Sequence, residues 1–253
     1  MMHALSPAGR LVIEQVLRGA PLLAFDFDGT LAPWIAEPAA AELTPRTGAT
    51  FANLASRWPC IVVSGRARAD VRSRLLGIPV VEVVGNHGSE PWIDPAPLRA
   101  EVARWLPLLD QLLGNIPGVL IEDKGCSVSI HYRRALSRHT VLGFALDAAR
   151  RLGIERILSG KYVLNLLPAG ALHKGDGLCR AMAALKKTSA LYVGADETDE
   201  DVFRLPPAAG VLGIRVDYRM KSCAPLYLYG QPEVDELLGF LSRSAEAFLT
   251  KQL

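Results

Sequence analysis

Apolar runs rich in β-branched residues recur along the chain, each followed by a turn and then a segment with helical spacing. Their lack of alternation marks strands buried on both faces of a parallel sheet. The pattern predicts strands at Leu22 to Phe27, Cys60 to Ser64, Val80 to Val84, Ala190 to Val193 and Gly210 to Val216. Helices are predicted between them at Thr44 to Ser56, Arg68 to Leu76, Lys174 to Leu185 and Glu200 to Arg204, with a last one at Glu233 to Phe248. Between Pro91 and Pro168 the rhythm changes. A helix at Pro97 to Leu113, strands at Val119 to Asp123 and Ser127 to Arg133, a helix at Ser137 to Leu152, and strands at Glu155 to Ser159 and Tyr162 to Leu167 make an αββαββ block. Such a block can form its own antiparallel sheet backed by two helices. The expectation is an α/β fold: a Rossmann-like parallel-sheet core, residues 1–93 and 170–253, carrying an inserted α+β cap domain, residues 94–169. The ligand cleft is expected where core and cap meet.

At 253 residues the chain has room for this core and cap without staples. Its 28 basic and 26 acidic residues leave a formal charge of +2 with no long run of one sign, so neither nucleic acid nor an anionic membrane is expected as a partner. The four cysteines, Cys60, Cys126, Cys179 and Cys223, form no CxxC pair, which excludes a redox or zinc motif of that type and suits a reducing, cytoplasmic setting. The apolar stretch Pro21 to Phe25 is stopped by Asp26, too soon for a signal-peptide core or a membrane span. Oligomeric state is not read from the sequence; a monomer is consistent with it.

The first strand runs into Phe25-Asp26-Phe27-Asp28-Gly29-Thr30. Strand side chains alternate, so Asp26 and Asp28 share a side. Two like charges at the carboxyl end of a parallel strand, where ligands of such sheets bind, repel unless a cation or a shared proton relieves them. A lone Asp-Gly-Thr would read as an ordinary turn. The next strand ends in Ser64-Gly65-Arg66, Lys174 opens a helix in His173-Lys174-Gly175, and Gly194-Ala195-Asp196-Glu197-Thr198-Asp199-Glu200 follows the strand at Ala190 to Val193.

In this order the four segments resemble the signatures of the haloacid dehalogenase (HAD) superfamily of phosphotransferases. The resemblance implies that Asp26 is the nucleophile, Asp28 the general acid and base, Ser64 and Lys174 the phosphate-binding pair, and Asp26, Asp28, Asp196 and Asp199 the surroundings of a Mg²⁺ ion. Within the superfamily the chain resembles trehalose-6-phosphate phosphatases. Gly85-Asn86-His87-Gly88-Ser89-Glu90 is similar to that family's GNHGxE, Glu122-Asp123-Lys124 to its ExK, and His131-Tyr132-Arg133 to its HYR. The resemblance implies a small-molecule sugar-phosphate substrate, bound by Arg66, Asn86, His87, Gly88, Glu122, Lys124, His131, Arg133 and Asn165.

Two positions depart from the family pattern. Ala195 stands where the family usually has an Asp that is generally a metal ligand, so a weaker metal site is expected. Asn165 stands where it usually has a sugar-binding Glu, which leaves the sugar open. The alternatives are a phosphatase for another sugar or glycoside phosphate, or a catalytically weakened sugar-phosphate-binding regulatory protein. Trp34, Trp58, Trp92 and Trp105 have no regular spacing and read as packing residues, and Arg68, Arg72 and Arg74 read as a solvated helix face.

Overall fold

The computed structural model describes residues 1–35, 37–160 and 162–250. Seven parallel strands form the larger sheet: β1 (Met2–His3), β2 (Leu22–Phe25), β3 (Cys60–Val63), β4 (Glu82–Val84), β9 (Ala190–Gly194), β10 (Val211–Val216) and β11 (Leu226–Leu228). They lie in the order β1-β11-β10-β9-β2-β3-β4. The smaller sheet is antiparallel, built from β5 (Leu120–Asp123), β6 (Val128–His131), β7 (Arg156–Gly160) and β8 (Val163–Leu167) in the order β5-β6-β8-β7. The α/β architecture expected from the periodicity is therefore present, with the second sheet inserted between β4 and β9 in sequence.

The unbroken apolar runs have a direct cause. In β2 and β3 every residue is buried, and alternation sends Leu23, Phe25, Cys60 and Val62 into one apolar layer and Leu22, Ala24, Ile61 and Val63 into the other. The first layer is closed by α1 (Pro7–Leu17), α2 (Pro45–Ala55) and α8 (Pro232–Thr250), whose Ile13, Phe51, Leu54 and Leu237 pack there. The second is closed by α6 (Lys174–Ala184) through Leu178, Ala181 and Met182. Each such side chain contributes roughly 1.5–3 kcal/mol when taken out of water.

The helices begin where their capping residues stand. Thr44 accepts from the Thr47 N–H ahead of Pro45, and His173 and Asp176 form a reciprocal box at the start of α6. The antiparallel sheet has its own apolar cluster, in which Trp105 and Leu109 of α4 (Pro95–Leu113) and Val141 and Ala145 of α5 (Arg138–Arg151) cover Val128, Ile130, Leu164 and Leu166.

The elements β1, α1 and β11 are additional to those predicted. Strands of two and three residues are too short to show a period. Helix α3 (Arg68–Arg74) is less solvated than expected: Arg68 and Arg72 pair with Glu82, while Arg74 binds Asp70 and the carbonyls of Ala39 and Ala41. No described helix is long and apolar enough to cross a membrane, and all four cysteines are unpaired.

Candidate active site

β2 lies between β9 and β3, so the segments leaving β2, β3, β4 and β9 all emerge at one edge of the sheet, facing the inserted antiparallel sheet. A cavity of about 420 Å³ lies there. Its wall includes Asp26, Asp28, Arg66, His87, Lys174 and Asp196 from the parallel-sheet side, and Glu122, Lys124, His131, Arg133 and Asn165 from the antiparallel sheet. Eleven of the fifteen residues singled out from the sequence thus meet around one space.

Asp26 continues β2 by one residue, its N–H donating to the Val193 carbonyl of β9. The carboxylate is buried, and its Oδ1 accepts from Lys174 Nζ at 2.8 Å. Lys174 also donates to Asp199 Oδ1 at 2.7 Å, and the same oxygen accepts from the Tyr192 hydroxyl at 2.5 Å. One ammonium therefore faces two buried carboxylates. Burial first, and then the Asp199 charge, push Asp26 well above the usual carboxylate range against the opposing pull of Lys174. Burial works against the charge on Lys174, but Asp199 and Asp26 outweigh it and hold the ammonium protonated.

Asp28 takes a different partner. Arg66 grips it in a two-pronged pair, Nε to Oδ2 and Nη2 to Oδ1, both at 2.7 Å, and Arg66 Nη1 reaches Asp70 at 3.0 Å. The Asp28 side chain is 26% exposed, so it borders the cavity while tied to the wall.

Four of the residues singled out from the sequence, Ser64, Asn86, Gly88 and Asp199, lie off the cavity wall. Asp199 presents no oxygen to the cavity: Oδ1 serves Lys174 and Tyr192, and Oδ2 accepts from the Asp196 N–H at 2.7 Å, so it positions Lys174 and the turn. Asn86 is not on the cavity wall. Its amide donates to the Lys124 carbonyl at 3.2 Å and its oxygen accepts from the Ser127 hydroxyl at 3.1 Å, which ties the segment after β4 to the β5–β6 connection. Gly88 is also off the wall. A Cβ there would stand 2.2 Å from the His173 carbonyl oxygen, and φ is +113°, so glycine permits close packing against the start of α6. Ser64 is fully buried; its Oγ accepts from the Arg66 N–H at 3.1 Å, leaving its own O–H to give. Ala195 packs its methyl into the core, so no side chain from this position reaches the cavity.

One residue that the sequence reading passed over organises this region. Arg215 is buried on β10, pairs with Glu200 at 2.7 Å, and donates to the carbonyls of Ala195 at 3.2 Å and Asp196 at 3.3 Å. The signal was present: a lone cation inside the apolar run Val211 to Val216 must be paired to be buried.

On the antiparallel sheet, Glu122 Oε2 bonds His131 Nε2 at 2.7 Å and lies 3.8 Å from Lys124 Nζ. Burial raises the Glu122 carboxyl, but the His131 hydrogen bond and the Lys124 charge outweigh it and hold it below the usual range. Asn165 touches the cavity but spends its amide within the sheet, accepting from Ser129 Oγ at 2.6 Å and donating to the Leu158 carbonyl at 3.3 Å. His87 is buried against Gly65 with neither ring nitrogen bonded, and burial together with Lys124, Lys174 and Arg156 keeps it neutral.

The fit to a divalent cation can be tested on charge. Asp26, Asp196 and Asp199 surround the single ammonium of Lys174, and Asp196 is itself pushed up to about 6, first by burial. Hard oxygen donors with surplus negative charge suit Mg²⁺, which keeps several waters. No three His, Cys, Asp or Glu side chains converge on a metal position among the described residues, so at most two such side chains, with backbone carbonyls and waters, would hold the ion.

A parallel sheet with acidic residues at its carboxyl edge, covered by an inserted antiparallel sheet, is the arrangement of a HAD-type fold. A Candida albicans trehalose-6-phosphate phosphatase C-terminal domain superposes with a TM-score of 0.78 at 22% identity, covering 96% of this chain and 98% of that one. The trehalose-phosphatase profile matches residues 24–219, and the chain belongs to that family. Trehalose-phosphate phosphatases of Mycobacterium avium and Mycobacterium tuberculosis are 34% and 33% identical over 78% and 83% of the chain. The chain spans only 54% and 56% of their lengths.

Proposed function

We propose that the protein is a Mg²⁺-dependent phosphatase that hydrolyses trehalose 6-phosphate through an aspartyl phosphate on Asp26. The observation that carries this reading is the buried Asp26 carboxylate, held by Lys174 on the wall of a cavity that also contains Asp28. Family membership supplies the substrate class.

In this reading Asp26 attacks phosphorus in line, and Lys174 keeps its free oxygen aimed while offsetting phosphate charge. Asp28 gives a proton to the departing sugar oxygen and later takes one from the water that hydrolyses the aspartyl phosphate. Arg66 donates to both Asp28 oxygens, so it orients that group between turnovers, and one of these bonds must open for Asp28 to carry the proton it gives. The Ser64 hydroxyl donates to phosphate. Asp26, the Asp28 carbonyl and Asp196 would hold Mg²⁺, which supplies charge screening between an anionic nucleophile and an anionic phosphate.

Glu122, Lys124, His131 and Arg133 receive the sugar hydroxyls. The unbonded nitrogens of His87 support the same reading, because buried polar atoms bordering a cavity are costly until a ligand bonds them. The unpaired thiols suit a cytoplasmic setting.

The test is phosphate release from a panel of sugar phosphates with and without Mg²⁺. The reading expects trehalose 6-phosphate to be strongly preferred and release to need the metal. Equal rates on glucose 6-phosphate would replace it with a generalist phosphatase. Binding without release from any substrate would replace it with a regulatory sugar-phosphate binder.

A further inference from the structure

Trp34 lies on the segment that follows the Asp28-Gly29-Thr30 turn, half-buried, and its indole forms part of the cavity wall beside Asp28. The backbone is shaped around it. Gly29 has φ +82°, and a Cβ there would fall 2.2 Å from the indole Nε1 and 2.4 Å from Cε2. Any side chain at position 29 would expel the ring, so a glycine in the left-handed region lets the indole lie directly on the acidic turn.

The cavity wall is mixed. Glu122, Lys124 and His131 offer charge and hydrogen bonds from the antiparallel side, where Val119, Leu120 and Tyr162 also lie, and Trp34 with its neighbour Ile35 adds apolar surface beside the acids of the parallel-sheet side. A pyranose ring has the matching two characters, with hydroxyls around its rim and C–H groups on its faces. Packing against an aromatic face excludes water from those C–H groups, and the hydroxyl rim remains free for the opposite wall.

We propose that Trp34 is a specificity-determining residue whose indole packs against a sugar ring of the leaving group. The proposal rests on the reading of the cavity as a sugar-phosphate site. It gives a reason why an alcohol lacking a ring face would be a poor leaving group here, and it assigns to the loop after Asp28 a share of recognition that the antiparallel sheet alone does not supply.

The test uses the Asp26→Asn protein, which the proposed function expects to hold substrate without turning it over, in isothermal titration and tryptophan fluorescence with trehalose 6-phosphate. Trp34→Ala in that background is expected to weaken trehalose 6-phosphate binding about tenfold, with a smaller loss for inorganic phosphate. Trp34→Phe keeps an aromatic face and should restore most of the affinity while abolishing the fluorescence change seen on binding. Matched thermal melts separate this from unfolding.

Undiminished affinity in Trp34→Ala, or a fluorescence change that persists in Trp34→Phe, overturns the assignment of Trp34 and leaves the phosphatase reading standing. Failure of the Trp34-containing protein to bind any sugar phosphate overturns both.

Discussion

Asp26 and Lys174 form the pair on which the chemistry turns, and their contact joins residues 148 positions apart at 2.8 Å. Asp26→Asn keeps the size and a hydrogen-bond acceptor but loses the nucleophilic carboxylate. Steady-state assays should show kcat reduced by at least about 10³-fold, with circular dichroism unchanged. Near-normal turnover would exclude Asp26 as the nucleophile. The neighbourhood of Asp26 was readable in the sequence because alternation places Asp26 and Asp28 on one side of a strand end. The role of Asp199 was not. Its acidity pointed to a metal, whereas its place behind the turn, with Tyr192 and the Asp196 N–H as partners, is set by a fold that pattern alone cannot supply.

Two elements give tests of structure. The segment after β4 is tied to the β5–β6 connection by the Asn86 side chain, at a residue whose φ is +46°. Asn86→Ala leaves the Lys124 carbonyl and Ser127 hydroxyl without that partner and places alanine in a left-handed conformation that asparagine tolerates better. Denaturant titration should show a loss of about 1–3 kcal/mol. An unchanged midpoint would mean that the tie carries no stability.

Around α3, Asp70 and Glu82 are each raised by burial but pulled below the usual range by stronger opposing hydrogen bonds, Asp70 from Arg74 and Arg66, Glu82 chiefly from Arg68. A carboxyl with a depressed folded-state value stabilises the fold above the ordinary carboxylate range. That contribution is lost as pH falls through the depressed value. Melting temperature should therefore decline below about pH 5, and Glu82→Gln should make the decline shallower. A parallel decline in the variant would remove Glu82 from the account.

This arginine-rich face read as solvated because helical spacing shows which residues share a side. It does not show that β4 brings Glu82 alongside.

At the scale of the whole molecule, the cavity is a property of neither sheet alone. The parallel sheet brings the acids and Lys174, the antiparallel sheet brings Glu122, Lys124 and His131, and the space lies between them. The two-layer plan was legible because buried parallel strands and an αββαββ insert leave different periods in the sequence. The short strands β1 and β11 and the identity of Arg215's partner were not, since each is set by contacts between segments apart in the chain.

The central claim is a covalent phosphoryl group on Asp26. It is tested most directly by mixing the protein with trehalose 6-phosphate and Mg²⁺, quenching in acid within a turnover, and mapping the modified peptide by mass spectrometry. A phosphoryl group on Asp26, absent from Asp26→Asn, is the result predicted. Full-rate phosphate release with Asp26 unmodified in the quenched protein, or the group found on another residue, would contradict it.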